Sequence, residues 1–327
     1  MEQTPEHPAR RMISIVPIPV ERAIEPQHTK GVSVGRFFAE VLAQNDVVPC
    51  DGDILVVSSK VASFFEGRQI RLDTVRASRK ARVLGKLYGK DPRKVELILR
   101  EGRVLFVIPL SRIMGIRKMW DMMAARSVNP DAMRHGFGKT NRAAFVVRNY
   151  GAYLDDAGID YTNSPDGYVS LLPLDPCATA ARIRAGLREA FGADVAVIIT
   201  DTLTMVGRVG SQDQAIGYAG MDPITRVTFS DDLFGVPRSG GIDIAVDSIA
   251  GMAGLVMGQT TELTPAVLVR GLDHAAERTD EALSGMDALS YPRGVETKIT
   301  ALTVLATIGF RLANLLTFQR WPRRGDD

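Results

Sequence analysis

The sequence predicts an α+β fold with mixed α/β ordering, in which short buried strands are interleaved with amphipathic helices. Two observations carry this. Continuous apolar runs at 54–57, 195–199 and 266–269 have the length and branched composition of buried strands. Elsewhere apolar residues recur at helical spacing, twice behind an Asp-Pro pair, where Asp caps the helix and Pro takes its first position.

From the N-terminus, 1–11 reads as a polar, flexible tail and 13–18 as a strand. Val34, Phe37, Phe38, Val41 and Leu42 fall on one helix face. Asp51-Gly52-Asp53 turns the chain into the strand at 54–57. Asp91-Pro92 starts a helix, and 104–108 is a strand. Residues 111–142 are rich in Met, Arg and Gly and have no clear period after Met123. They read as an insertion or mobile flap. The runs 145–148 and 152–154, joined by Asn149-Tyr150-Gly151, form a hairpin. Asp175-Pro176 opens a helix with the stripe Ile183, Leu187 and Phe191, which Gly192 ends. The strand 195–199 runs into a turn at Thr200-Asp201-Thr202. Ile242, Ile244 and Val246 alternate as in a strand, a helix follows to about Met257, and 266–269 is the last strand. In 301–318, Leu305, Ile308, Leu312, Leu315 and Leu316 mark a packing or dimer helix. Arg311 and Asn314 inside it argue against a membrane span. Residues 323–327 read as a second tail.

Composition narrows the function. Lys and Arg total 40 against 38 Asp and Glu, a net charge of +2, so no basic footprint points to nucleic acid. Two cysteines, Cys50 and Cys177, cannot build a disulfide scaffold, and four scattered histidines do not suggest a His-based zinc hydrolase. The first eleven residues do not resemble a signal peptide, and a cytoplasmic protein is expected.

The acidic positions carry the chemistry. Asp201 directly follows a buried strand, the end of an α/β sheet where ligands bind. With Thr200 and Thr202 beside it, it is a hard oxygen site suited to Mg2+ or Mn2+. The same three residues also make an ordinary capped turn. Asp155 and Asp156 read as a solvated loop, with Asp160 and Asn163 just beyond. Ser58-Ser59-Lys60 places two hydroxyls and an ammonium after a strand, a weak phosphate-site signal that a surface turn also explains. Gly136-Phe137-Gly138-Lys139-Thr140 ends like a P-loop, but Met133 stands where its first glycine belongs, so it is a decoy. Glu66-Gly67-Arg68 reads as a surface ion pair or as a charge paired across the pocket. Arg208 suits an anionic substrate or simply solvent. No Gly-x-Gly-x-x-Gly follows a strand, and no Gly-x-Ser-x-Gly occurs.

In order and spacing, these blocks resemble the coenzyme F420:L-glutamate ligases (F420-0:γ-glutamyl ligases), over about 13–271. The carriers are Gly52-Asp53-Ile54-Leu55-Val56-Val57-Ser58-Ser59-Lys60-Val61, Glu66-Gly67-Arg68, Ala157-Gly158-Ile159-Asp160-Tyr161-Thr162-Asn163 and Leu171-Leu172-Pro173-Leu174-Asp175-Pro176. Val197-Ile198-Ile199-Thr200-Asp201-Thr202, Ala215-Ile216-Gly217 and Val269-Arg270-Gly271 complete them. The resemblance implies a two-lobed α+β catalytic unit over 12–322 with a cleft between lobes, acting as a homodimer. It implies a carboxylic acid joined to an amino acid through an acyl phosphate, with GTP (or ATP) as cosubstrate and Mg2+ or Mn2+ bound. Asp160, Asp201 and Thr202 would be metal ligands, with Gln259 a possible further one. Ser59, Lys60 and Asn163 would contact the nucleotide, and the segment 257–264, with Gly258 and Gln259, would close over it. Asp201 and Arg208 would carry the chemistry.

The chain departs from the family pattern. After the Thr-Asp-Thr block the family reads Phe-Gly-Arg-Pro-Trp-Arg, whereas Leu203-Thr204-Met205-Val206-Gly207-Arg208 stands here. Phe64 replaces a phosphate-facing lysine, and Asp247-Ser248 replaces Asp-Glu. Weaker anion contacts imply a divergent member with another acid, another amine, or both. The alternative is a catalytically inactive nucleotide- or ligand-binding homologue with a regulatory role.

Overall fold

The structure is a computed structural model that describes residues 12–137, 142–205, 208–274, 285–291 and 295–316. The two predicted tails, residues 138–140 of the P-loop-like string, and Val206 and Gly207 lie outside the described residues. The chain divides into two compact units, 1–288 and 289–327.

The first unit begins with β1 (Ser14–Ile18), α1 (Val34–Gln44), β2 (Ile54–Ser58), α2 (Ser59–Phe65) and β3 (Gln69–Arg71). It continues with α3 (Arg79–Tyr88), α4 (Pro92–Glu101), β4 (Val104–Ile108), α5 (Leu110–Met114), α6 (Arg117–Ala124) and α7 (Pro130–His135). Next come β5 (Ala144–Asn149), β6 (Ala152–Asp155), β7 (Tyr168–Ser170), α8 (Pro176–Phe191), β8 (Ala196–Thr204) and β9 (Ser211–Ala219). It closes with β10 (Ile224–Thr225), β11 (Asp243–Ile244), α9 (Ala245–Met257) and β12 (Ala266–Arg270). In the second unit, the predicted late helix is α10 (Val295–Leu316). No helix among the described residues is long and apolar enough to cross a membrane.

A five-stranded sheet, ordered β1-β12-β2-β8-β9, carries the core. Only β2 and β8 run parallel, with Ile54 opposite Ala196 and Ser58 opposite Thr200. Side chains alternate across a sheet, so a strand buried on both faces reads as a continuous apolar run. Leu55, Val57, Val197 and Ile199 face a cluster with Phe38 and Leu42 of α1 and Ile183 and Leu187 of α8. The alternate residues Ile54, Val56 and Ile198 are also fully buried. α9 packs on β9 and β12, burying Val246, Ile249, Ala250 and Ala253. A second sheet, β4-β5-β6, and the pair β3-β7 lie within the long excursion between β2 and β8.

The helix ends follow local chemistry. Asp91 and Asp175 cap α4 and α8 with Pro at the first positions, and Gly192 ends α8 in the left-handed region at φ 71°. The β5–β6 hairpin turns through Tyr150 and Gly151, both at positive φ, as a two-residue turn requires.

Three segments differ in detail from the sequence reading. First, residues 111–142, read as an insertion or mobile flap, carry the short helices α5, α6 and α7 among the described residues. Each is too short to show a stripe, and none buries a residue fully, so no periodic pattern marks them. Asn129 and Pro130 nevertheless form a helix start, with the Asn129 side chain accepting from the Ala132 N–H. Second, Ile242, Ile244 and Val246 do not form one strand, because Ala245 begins α9 and Val246 is buried in that helix. Third, Thr200-Asp201-Thr202 is not a turn. Pairing with β9 carries β8 on to Thr204, through a register shift at Ile199/Thr200.

Candidate active site

β2 ends at a pocket of about 680 Å³, which β8 passes at Thr200, Asp201 and Thr202. Its lining includes Ser59, Lys60, Asp160, Asn163, Asp201, Thr202, Gly258 and Gln259, together with most of the segment 257–264. Arg208 is exposed and is not among the lining residues.

α2 begins directly after β2, which brings Ser59 beside the neighbouring strand β8. The Ser59 hydroxyl donates to Asp201 Oδ1 at 2.7 Å. Lys60 Nζ donates to Asp160 and to the Thr162 carbonyl. Asp160 is fastened by a backbone bridge to Ser170, the last residue of β7. Its Oδ1 also accepts from the Thr162 N–H at 2.8 Å and hydroxyl at 2.9 Å. Burial opposes its charge, but Lys60 and Thr162 outweigh that and hold the Asp160 carboxyl below the usual range. Asn163, at φ 47°, donates from Nδ2 to the Thr260 carbonyl at 3.1 Å and so ties this loop to 257–264.

Asp201 is the opposite case. Burial, with the nearby charges of Asp160 and Asp213, pushes its carboxyl up to about 6 despite the Ser59 hydrogen bond. Asp213 was not singled out from the sequence. It is buried on β9 directly opposite Thr202, whose hydroxyl donates to Asp213 Oδ1 at 2.5 Å. Gln259 Nε2 donates to the same oxygen at 3.3 Å. The only local sign was an acid two positions before Ala215-Ile216-Gly217. Its placement depends on the antiparallel register of β9.

Asp155 is exposed, as a solvated loop requires, and lies at the pocket lining, where desolvation lifts its carboxyl above the usual range. Asp156 is not solvated in that way: it pairs with the buried Lys90 and accepts from the Phe145 N–H at 2.9 Å. Glu66 and Arg68 do not pair with each other. Glu66 accepts from the Leu174 N–H, Thr179 and Arg182, and Arg68 bonds to Glu101 and the Leu172 carbonyl, so both fasten the scaffold outside the pocket. Phe64 is buried and forms pocket wall.

Among the described residues no three His, Cys, Asp or Glu stand close enough to hold a metal ion unaided. Mg2+ is commonly held by one or two carboxylates together with substrate phosphates, rather than by an all-protein cage. An oxygen-only set of Asp160, Asp201, Thr202 and Gln259 fits that mode. Burial, and to a lesser degree the charges of Asp160 and Asp213, disfavour an ionised Asp201, and a bound cation would supply it with a counter-charge.

The family model described as F420-0:Gamma-glutamyl ligase matches residues 26–271. The coenzyme F420:L-glutamate ligase of Methanopyrus kandleri is 35% identical over 268 residues, 81% of this chain and 90% of that protein. The enzyme of the same name from Methanothermobacter thermautotrophicus is 34% identical over 75% of this chain and 84% of its own length. That from Archaeoglobus fulgidus is 32% identical over 71% and 81%. The matched span contains every strand of the central sheet except β1, and all the residues named at the pocket. On these grounds the chain belongs to the F420-0:gamma-glutamyl ligase family.

Proposed function

We infer that the protein is a nucleotide- and metal-dependent ligase that joins a carboxylic acid to an amino acid, using GTP or ATP and Mg2+ or Mn2+. The relatives are named for L-glutamate and coenzyme F420. The substrates proposed here are a carboxylate of that kind and an α-amino acid, with acid and amine open to divergence. The observation that carries the reading is the convergence of Asp160, Asp201 and Asp213 with Lys60 and Ser59 in one pocket.

A carboxylate is a poor electrophile and must be activated. One of its oxygens attacks the γ-phosphorus, and the bond to the nucleoside diphosphate breaks. The amine then attacks the acyl carbon, and phosphate leaves as the amide forms. Ser59, Lys60, Asn163 and Gly258 would contact the nucleotide. Asp160, Asp201, Thr202 and Gln259 would hold the cation. When bound, it neutralises phosphate oxygens. Ser59 keeps Asp201 oriented, and Lys60 keeps Asp160 ionised. The resemblance adds a homodimer in the cytoplasm to this proposal.

The test is phosphate release with GTP or ATP, either cation, and panels of carboxylic and amino acids. Asp201→Asn should lower turnover on the order of a hundredfold or more while leaving thermal unfolding cooperative. Equal release by wild type and variant would sink the ligase reading. Nucleotide binding without release by the wild type would support the inactive homologue instead.

A further inference from the structure

We propose that Asp213 is a positioning residue that presets Thr202 and Gln259 as cation ligands by taking up their hydrogens. The inference rests on the metal-dependent reading above.

A threonine hydroxyl has one hydrogen and two lone pairs. Two acceptors lie within reach of Thr202 Oγ1: Asp213 Oδ1 at 2.5 Å and Gln259 Oε1 at 3.1 Å. The shorter, charged acceptor takes the hydrogen. The Gln259 amide gives its Nε2 hydrogen to the same Asp213 oxygen. Thr202 Oγ1, with its hydrogen turned to Asp213, and Gln259 Oε1 thereby face each other with lone pairs, 3.1 Å apart. Neighbouring oxygens around an octahedral cation at 2.0–2.1 Å are also about 3 Å apart. Without Asp213 the Thr202 hydrogen turns to Gln259 Oε1, and a hydrogen then occupies the edge the cation needs.

The packing behind Asp213 serves the same arrangement. A Cβ at Gly254 of α9 would overlap the Asp213 carboxylate, and one at Gly251 would meet the Gln212 side chain. Glycine weakens a helix interior by up to about 1 kcal/mol relative to alanine. Here two glycines open room for the polar side chains of β9.

Mn2+ is titrated into the full-length protein, alone and with GDP or ADP. Bound ion is read from the free Mn2+ electron paramagnetic resonance signal against protein-free controls. Asp213→Ala should weaken Mn2+ binding about 10–100-fold, the usual effect of losing a ligand's orienting partner. Asp213→Asn keeps an acceptor oxygen of the same shape and should retain most of the affinity. Gly254→Ala leaves the charge in place but crowds the carboxylate, and should weaken binding even if Asp213→Ala does not fold. Unchanged binding in Asp213→Ala, or in Gly254→Ala, overturns the proposal. So does an equal loss in Asp213→Asn and Asp213→Ala, which would assign the effect to charge rather than orientation. In these cases wild type still binds Mn2+ and the ligase reading stands. Wild type that binds no Mn2+ in any arm removes both.

Discussion

Asp201 and Asp160 show how one pocket sets two carboxylates apart. Burial and like charges press Asp201 towards its neutral form, with a hydroxyl and the more distant Lys60 opposing them. Asp160 has Lys60 in direct contact and both Thr162 donors. A third acid, Glu96, makes the residue-scale case outside the pocket. The Ser78 hydroxyl and N–H, followed by Arg100, pull its carboxyl down to about 2. Ser78 is also the N-cap of α3, so Glu96, within α4, ties that helix to the cap of α3. A depressed carboxyl stabilises the fold above its unfolded value near 4.5, and that contribution is lost as pH falls through 2. Glu96→Gln should therefore lower the melting temperature at pH 7. The gap from wild type should shrink below pH 4.5 and close near pH 2. Calorimetry across that range checks it, and a gap independent of pH would contradict the assignment.

At the scale of elements, α1 and α8 approach backbone to backbone. A Cβ on Gly35 would come within 2.8 Å of the Gly186 Cα, and one on Gly186 within 2.6 Å of the Gly35 carbonyl carbon. Helix propensity alone favours Gly186→Ala by about 1 kcal/mol. Overpacking this crossing should cost about 1–3 kcal/mol and dominate. Urea titration should give a lower midpoint for the variant at unchanged slope; a higher midpoint would show that the helices can part without loss. The elements also differ in legibility. α4 and α8 announce themselves by Asp-Pro starts. α5 to α7 do not, because five to eight residues with little burial leave no stripe to read. The extension of β8 through Asp201 was missed because its pairing partner, β9, lies beyond the next loop.

For the whole molecule, one buried ion pair links the helical excursion to the pocket. Lys90, just after α3, donates to the Ala143 carbonyl at 2.7 Å and pairs with Asp156. Asp156, Ala157 and Gly158 all have positive φ, a costly run for two non-glycine residues. The chain then passes through Ile159 to Asp160. Lys90→Met would leave the Asp156 charge without its cation and should destabilise the fold by about 3–5 kcal/mol. Guanidinium unfolding would measure it; a loss below about 1 kcal/mol would mean that the pair does not hold this run in place.

The sequence by itself determined β1, β2, β12 and the first half of β8, the capped helices, the blocks that mark the family and all but one of the side chains discussed at the pocket, but not β9. These signals are local, since apolar runs, caps and motif spacing act through residues a few positions apart. The tertiary structure alone decided that β2 and β8 run side by side, that Asp160 and Asp201 face one cavity, and that Asp213 stands opposite Thr202. Those outcomes depend on strand register and on charges brought together across long stretches of chain. Even for Thr202 and Asp213, eleven positions apart, nothing in the intervening sequence fixes the register that sets them opposite each other.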